Sequence, residues 1–202
     1  MELSLRARVR DGDPDAFGIL FNSYSRAVYN LAYRLRGNWP EAEEIVSLTF
    51  LEAWRLRERI DPDGESLRPW LTGIALNVTR NFARASRRHA AAMARLPPPD
   101  TVPDFAGELA GRIDDAARLA AVRAAFGRLR ASEQDVVALC IWSGLDYAAA
   151  AEALGIPVGT VRSRLSRARC KLRAHAGELG HGGEQVEGGR QVAARPAQGG
   201  TR

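Results

Sequence analysis

The sequence has few of the residues that build disulfides, metal sites and membrane segments. Its 202 residues include two cysteines and three histidines, and no run of about 18 apolar residues occurs. Cys140 and Cys170 lie far apart, with no CxxC spacing and no histidine at metal-ligand spacing beside them, which favours buried thiols over a zinc motif. Residues 1–10 lack the apolar core of a secretory signal. We therefore expect a cytoplasmic protein with reduced thiols, no membrane segment and no cofactor.

Lysine is also scarce. Lys171 is the only one, so arginine carries almost all of the positive charge behind the formal net charge of +5. A basic chain favours an anionic partner, and the planar guanidinium suits phosphate and guanine. A GC-rich genome would produce the same composition, so only the placement of the arginines can support a functional argument.

Proline and glycine divide the chain into two helical blocks. In the first block, Asp13-Pro14 and Gly37-Asn38 bound one amphipathic helix, Trp39-Pro40 opens a second, and a third covers roughly residues 67–94. In the second block, Ser132-Glu133-Gln134-Asp135 resembles a capping box, and a short helix covers about 147–154. Neither block has an alternating strand pattern. The sequence therefore predicts an all-α fold of two small domains.

Two segments lack apolar periodicity. Pro97-Pro98-Pro99 cannot continue a helix, and the residues around it are small and acidic. The last part of the chain is rich in Gly, Gln, Glu and Arg, and it buries too little surface to offset its ordering entropy. We therefore expect a first domain at 1–95, a flexible linker at 96–112, a second domain at 113–175 and a disordered tail at 176–202.

Residues 145–173 have the pattern of a helix-turn-helix. Two helices flank a tight turn at Gly155-Ile156-Pro157. A solvated helix normally mixes both signs of charge, whereas residues 162–173 contain arginine, lysine and serine but no acid. We therefore expect the second helix to enter a DNA major groove. Its apolar residues recur at helical spacing and predict one buried stripe, formed by Val161, Leu165, Ala168 and Leu172.

Longer stretches resemble a known family. AFGILFNSYSRAVYNLAYRLRGN, AEEIVSLTFLEAWR and RPWLTGIALNVTRNFARASRR resemble region 2 of the extracytoplasmic-function sigma factors of RNA polymerase. DDAARLAAVRAAFGRLRASEQDVVALCIWSGLDYAAAAEALGIPVGTVRSRLSRARCKLR resembles region 4 of the same family. The resemblance implies a non-enzymatic factor that binds core RNA polymerase and directs transcription initiation by recognising −10 and −35 promoter elements.

The family resemblance implies that helix Ala42–Arg55 docks on the clamp of the polymerase β′ subunit, while region 4 meets the β flap. This chain has Ser47 and Leu48 where many members have a polar-acidic pair, so fewer charge-assisted contacts are expected there. Packing in the core is the alternative role for Leu48. The residues that the resemblance assigns to polymerase binding are Glu43, Glu44, Ser47, Leu48, Leu51 and Glu52.

The turn at 61–66 and the helix after it resemble the element that recognises the melted −10 strand. Asn77 and Asn81 lie one helical turn apart, and an amide suits the edge of a flipped-out base. Without the resemblance, both would be ordinary surface asparagines. The residues assigned to the −10 strand are Asp63, Ser66, Asn77, Arg80, Asn81, Arg84, Arg87 and Arg88. Those assigned to the −35 element are Thr160, Arg162, Ser163, Arg164, Ser166, Arg167 and Arg169.

Two other function classes stay open on the residues alone. A stand-alone helix-turn-helix regulator would use the same second domain but would leave the first without a role. An enzyme has less support, because the chain has no GxxxxGK loop and no HExxH, and its Glu41, Glu43 and Glu44 suit an acidic first helical turn. The expected partners are core RNA polymerase, promoter DNA and an anti-sigma protein of the kind that commonly holds family members inactive.

Overall fold

The computed structural model describes residues 4–94, here called the N-terminal domain, and 121–181, the C-terminal domain, with side chains up to His175. Every regular element in these two ranges is helical, which confirms the all-α prediction. The predicted linker at 96–112 and the tail from 182 onward lie outside the described residues.

The N-terminal domain is a helical bundle. Helix α1 covers Leu5–Arg10, α2 covers Pro14–Arg36, α3 covers Trp39–Leu56 and α4 covers Arg68–Met93, with a 3-10 turn at Arg57–Arg59. Helices α2, α3 and α4 begin and end close to their predicted boundaries. The sequence did not predict α1, because its 6 residues are too few to show a helical period.

Local capping sets the boundary between α2 and α3. The Asp13 carboxylate accepts a hydrogen bond of 2.9 Å from the backbone N–H of Asp15 and so begins α2. Gly37 ends α2 in the left-handed region, with a φ of 71°. The Asn38 side chain then accepts a hydrogen bond of 3.1 Å from the backbone N–H of Glu41 and begins α3. Asp13 and Gly37 act as the sequence predicts, whereas Asn38, predicted as part of the end of α2, caps the start of α3.

The core of the N-terminal domain lies between α2, α3 and α4. Leu20, Ile45 and Leu71 are fully buried, one from each helix. Phe21, the residue after Leu20, is 43% exposed and packs against Phe50 at a ring-centroid distance of 4.7 Å. Successive residues point about 100° apart around a helix, so Leu20 and Phe21 cannot both face the centre.

The C-terminal domain contains the predicted helix-turn-helix. Residues 121–127 form helix α5, followed by α6 at Ala131–Val137, a π-helical turn at Ala138–Trp142, α7 at Tyr147–Leu154 and α8 at Val158–His181. Gly155 ends α7 with a φ of 63°, which gives the tight turn before α8. Helix α8 continues beyond the predicted domain end at residue 175. The predicted stripe on α8 packs into the domain core, with Val161, Leu165 and Ala168 buried and Leu172 partly buried.

The start of α6 differs from the predicted capping box. The Glu133 carboxylate accepts a hydrogen bond of 2.9 Å from the backbone N–H of Arg130, so the cap residue is Arg130 and Ser132 lies inside the first turn. The prediction was wrong because the reciprocal Glu lies at the third helical position, and counting back from Glu133 gives Arg130. Glu133 also accepts two hydrogen bonds of 2.8 Å from Lys171 Nζ, which join α6 to α8.

The two domains pack directly against each other. Gly73 of α4 lies against the backbone of Ala153 in α7, so closely that a Cβ at Gly73 would be 2.5 Å from the Ala153 carbonyl oxygen. Leu76 of α4 is buried in the core cluster of the C-terminal domain. Arg34 donates a hydrogen bond of 3.1 Å to the Trp142 carbonyl, and Arg68 donates one to the Ser143 carbonyl. The described residues thus form a continuous apolar interior across both domains.

Candidate nucleic-acid interface

Helix α8 presents the residues that the sequence assigned to the −35 element. The buried stripe faces the domain core, so the other faces of the helix turn outward. The Ser163 hydroxyl donates a hydrogen bond of 3.1 Å to the Thr160 carbonyl within the helix. Thr160 and Arg164 are partly buried, and the exposed members of the set are Arg162, Ser163, Ser166, Arg167 and Arg169.

Tyr147, which the sequence analysis did not select, lies beside this face. The Arg162 guanidinium stands 5.7 Å from the centre of the Tyr147 ring, a cation–π geometry that links the first turn of α7 to α8. Tyr147 and three arginines line a shallow pocket of about 370 Å³. The sequence could have indicated Tyr147 by its position. It is the first residue of α7, the first helix of the helix-turn-helix, and it directly follows the N-cap residue Asp146. The three arginines that line this pocket are Arg162, Arg169 and Arg173.

The residues assigned to the −10 strand separate into two groups on α4. Asn77, Asn81 and Arg88 line a groove of about 550 Å³ between α3 and α4. The other group, Arg80, Arg84 and Arg87, faces a second cavity between the two domains. Helical geometry accounts for most of this division, since positions 77, 81 and 88 fall within about 40° of one another around the helix and positions 80 and 87 do not. Position 84 lies between the two groups, and the Arg84 guanidinium donates a hydrogen bond of 3.3 Å to Asn81 Oδ1.

The groove between α3 and α4 also contains residues assigned to core polymerase. Leu48 and Leu51 are 36% and 49% exposed, and together with Glu52 they form the α3 wall of the groove. Their exposure shows that they are not core residues, so the packing alternative for Leu48 is excluded. Glu43, Glu44 and Ser47 are exposed one turn earlier on the same helix. The structure therefore brings part of each predicted set together in one groove, Leu48, Leu51 and Glu52 with Asn77, Asn81 and Arg88, which the sequence alone did not show.

Arg80 is engaged between the domains. Its guanidinium forms an ion pair with Asp135 of α6, a residue that is buried. Burial lowers the pKa of Arg80, and the charges of Arg84 and Arg164 act in the same direction. These three arginines line a cavity of about 600 Å³ with walls from both domains. Arg80 therefore lines the cavity between the domains and not the groove lined by Asn77 and Asn81.

The loop at 61–66 is held by Arg6 of α1. The Arg6 side chain is buried, its Nε donates a hydrogen bond of 2.7 Å to the Asp61 carbonyl, and its Nη1 donates one to the Ser66 carbonyl. The side chains of Asp63 and Ser66, both assigned to the −10 strand, are exposed on this loop. Arg6 was missed because its partners lie far along the chain and α1 is short.

Within residues 4–94 and 121–175, no three His, Cys, Asp or Glu side chains come together as a metal-binding group. No helix in the described parts of the chain is both long and apolar enough to cross a membrane.

Comparison with protein families places the two domains separately. Residues 20–89 match the family model Sigma-70 region 2, and residues 119–172 match the model Sigma-70, region 4. The first match contains the α3–α4 groove, and the second contains the helix-turn-helix. Both matches agree with the resemblance that the sequence motifs indicated.

Individual relatives cover most of the chain. RNA polymerase sigma factor NccH of Alcaligenes xylosoxydans xylosoxydans is 31% identical over 176 residues, which are 85% of this chain and 92% of that protein. ECF RNA polymerase sigma factor SigW of Bacillus subtilis is 27% identical, over 89% of this chain and all of its own. The structure is similar to that of the sigma factor RpoE in complex with the anti-sigma factor NepR from Bartonella quintana. That similarity has a TM-score of 0.58 and 25% identity, over 80% of this chain and 96% of the other.

The two region models match in the expected order, and a relative above 30% identity is covered almost completely. The helix-turn-helix and the α3–α4 groove occupy these matched segments. The chain therefore belongs to the sigma-70 family of RNA polymerase sigma factors, in its extracytoplasmic-function group.

Proposed function

We propose that this sigma factor binds core RNA polymerase and the melted −10 strand through one continuous groove of the N-terminal domain. The observation that carries the proposal is the position of Leu48 and Leu51 on the wall that faces Asn77 and Asn81. Exposed leucines on a helix suit an apolar contact with a protein, and asparagine amides suit base edges. Polymerase binding would therefore complete the site for the opened strand.

Helix α8 supplies the second DNA contact, at the −35 element. Its first exposed residues, Arg162, Ser163 and Ser166, have the side chains that bond base edges in a major groove. Arg167 and Arg169, further along the helix, are placed for phosphate contacts, which fix the register of the protein on the duplex. The family contains members with a bulky aromatic residue at the position of Ser166, so we expect a base preference here that differs from theirs.

This role is assembly, and we infer that no chemical step belongs to this chain. The protein would work in the cytoplasm, where it meets core polymerase and chromosomal DNA. RpoE of Bartonella quintana was solved with an anti-sigma factor, and we propose that an anti-sigma protein also controls this chain. Purification of the tagged chain from its native cell should then recover such a protein, and its repeated absence would count against this control.

Run-off transcription with core RNA polymerase tests the function. With the wild-type chain, we expect specific transcripts from promoters that share paired −35 and −10 elements. The double substitution of Asn77 and Asn81 to Ala should reduce these transcripts at least about tenfold, because bidentate amide contacts to bases are lost. Asn22→Ala, at an exposed asparagine of α2, is the matched control and should transcribe like the wild type.

The same assay separates the main alternative. A stand-alone regulator would bind duplex DNA specifically through the C-terminal domain but would give no transcripts with core polymerase. Full activity of the double asparagine variant would contradict the assignment of the α3–α4 groove to the −10 strand, even if the wild type is active.

A further inference from the structure

We propose that Arg6 is a positioning residue for −10 recognition, because it fixes the shape of the loop at 61–66. The proposal rests on the proposed function of this loop in contacting the melted strand. Arg6 is 7% exposed, and its two hydrogen bonds go to the carbonyls of the first and last residues of the loop. One buried guanidinium thus joins the two ends of a short exposed segment.

Of the two hydrogen bonds that the Asp61 oxygens accept within the loop, one is long and the other is of ordinary length. The backbone N–H of Gly64 lies 3.5 Å from the Asp61 carbonyl oxygen, and the backbone N–H of Asp63 lies 3.1 Å from the Asp61 carboxylate. At 3.5 Å a hydrogen bond contributes little. The bond of 2.7 Å from Arg6 to the Asp61 carbonyl is short, and bonds from a charged donor are the stronger kind. We therefore assign most of the order of this loop to Arg6.

Gly64 gives the guanidinium its space. A Cβ at Gly64 would overlap the central carbon of the Arg6 guanidinium and lie 2.9 Å from its Nε. The side chain of Arg6 therefore lies flat against the backbone of the loop, and a larger residue at position 64 would displace it. Arg6 and Gly64 are complementary although they are distant in the sequence.

The charge of Arg6 also matters for the chemistry of the loop. The loop carries three acids, Asp61, Asp63 and Glu65, which repel phosphate and suit the amino groups of cytosine or adenine. The buried cation offsets part of this negative charge. Hydrogen bonds to base edges depend steeply on distance and angle, so an acid-rich loop selects a base only when its backbone is held in place.

The test compares Arg6→Lys and Arg6→Met with Arg10→Met, which changes an exposed arginine of the same helix. Each full-length protein drives run-off transcription with core polymerase on promoters in which one −10 position at a time is randomised. For Arg6→Met we expect the base preference at the position facing the loop to fall about tenfold. For Arg6→Lys we expect a smaller loss of this base preference, because one ammonium cannot donate to both carbonyls. Arg10→Met should keep the wild-type preference.

Gly64→Ala disturbs the contact between the loop and Arg6 by changing the loop. It should weaken the base preference at the same promoter position. Affinity for core polymerase and preference at −35 should stay unchanged in all variants. Arg6→Met with a lower melting temperature but an unchanged −10 preference would show that Arg6 only stabilises the domain, and would overturn the proposal. If the wild type itself shows no −10 preference, the proposed function fails instead.

Discussion

Glu133 is a buried carboxylate that accepts three hydrogen bonds. Its oxygens accept from Lys171 Nζ and from the backbone N–H of Arg130, so it caps α6 and ties that helix to α8. These bonds, with Lys171 first, outweigh burial and lower the pKa of the Glu133 carboxyl below its ordinary value. The C-terminal domain is therefore stabilised by the ionised form of this residue.

This pair predicts how the stability of the C-terminal domain depends on pH. Because the folded-state pKa of Glu133 is depressed, its contribution is complete above the ordinary glutamate pKa of about 4.3 and is lost as the pH falls through the lower folded value. Glu133→Gln should lower the free energy of unfolding by about 1–3 kcal/mol at pH 7. It should also flatten the loss of stability between neutral and acidic pH.

Chemical denaturation at pH 7 and at acidic pH, followed by circular dichroism, measures both effects. Glu152→Gln, at an exposed glutamate of α7, is the control and should keep the pH dependence of the wild type. If the free energy of unfolding falls equally steeply with decreasing pH in Glu133→Gln and in the wild type, other carboxyl groups produce this pH dependence.

For single residues, the sequence predicted the positions of those whose partners are close in the chain and missed the contacts of those whose partners are distant. Asn77 and Asn81 are exposed on one face, as their spacing of one turn requires. Arg80 sits between them in the sequence, yet it turns to Asp135 in the other domain. Arg6 likewise bonds to residues more than fifty positions away. No local pattern contains such partners, so only the structure assigns these two arginines.

Among the helical elements, α8 has an apolar stripe on one side and cations on the others. Arg162, Arg167 and Arg169 are exposed along consecutive turns. A phosphate contact releases about one counterion from duplex DNA, so each arginine that binds phosphate increases the salt dependence of binding. A base contact adds specificity instead. The two kinds of contact can therefore be distinguished by experiment.

Substitutions along α8 should distinguish phosphate contacts from base contacts. Arg169→Ala should reduce the slope of log affinity against log salt by about 0.9 and weaken binding similarly on all sequences. Arg162→Ala should cost about 1–3 kcal/mol on the preferred −35 sequence and relax discrimination there. The holoenzyme, titrated with promoter duplex at several salt concentrations, provides the measurement. Arg26→Ala, at an exposed arginine of α2, is the control and should leave −35 discrimination and the salt slope unchanged.

The elements themselves were largely predictable because their ends are encoded locally. Asp13, Gly37 and Gly155 act at helix ends in the structure as the sequence indicated. The start of α6 was not predicted correctly, because Ser132 is a good cap residue by type and only the position of Glu133 relative to Arg130 decides the boundary. Residue type alone was thus a weaker guide than spacing.

For the whole molecule, the packing of the two domains has a geometric consequence. Packed helices lie about 8–10 Å apart, and α4 contacts α7 directly. The −10 and −35 elements are centred about 25 base pairs apart, which is about 85 Å of duplex at 3.4 Å per base pair. We therefore expect the two domains to separate when both elements are bound, which would also release Arg80 from Asp135.

Gly73→Ala should separate the domains in the free protein. The added methyl group would be 2.5 Å from the Ala153 carbonyl oxygen, and the nearest atoms around it all belong to Ala153. Alanine also favours the helix by about 1 kcal/mol relative to glycine, so α4 itself should not be weakened. Small-angle X-ray scattering should show a larger radius of gyration for Gly73→Ala than for the wild type, because the two domains no longer pack against each other.

Gly18→Ala is the matched control, because Gly18 is also helical and a Cβ there would have no neighbour within 4 Å. Both variants gain the same helix propensity, but only in Gly73→Ala does the added methyl group clash with a neighbouring helix. Identical scattering from the two variants would mean that the domain contact is absent in solution or tolerates the methyl group.

The ion pair between Lys171 and Glu133 has a practical consequence for chemical labelling. Lys171 is the only lysine of the chain, and its ammonium donates to both oxygens of a buried carboxylate. An acylating reagent needs the free amine, so this side chain should react slowly while α6 and α8 are joined. The rate at which the peptide that contains Lys171 gains the mass increment would then report how often that junction opens, with no other lysine to confuse the signal.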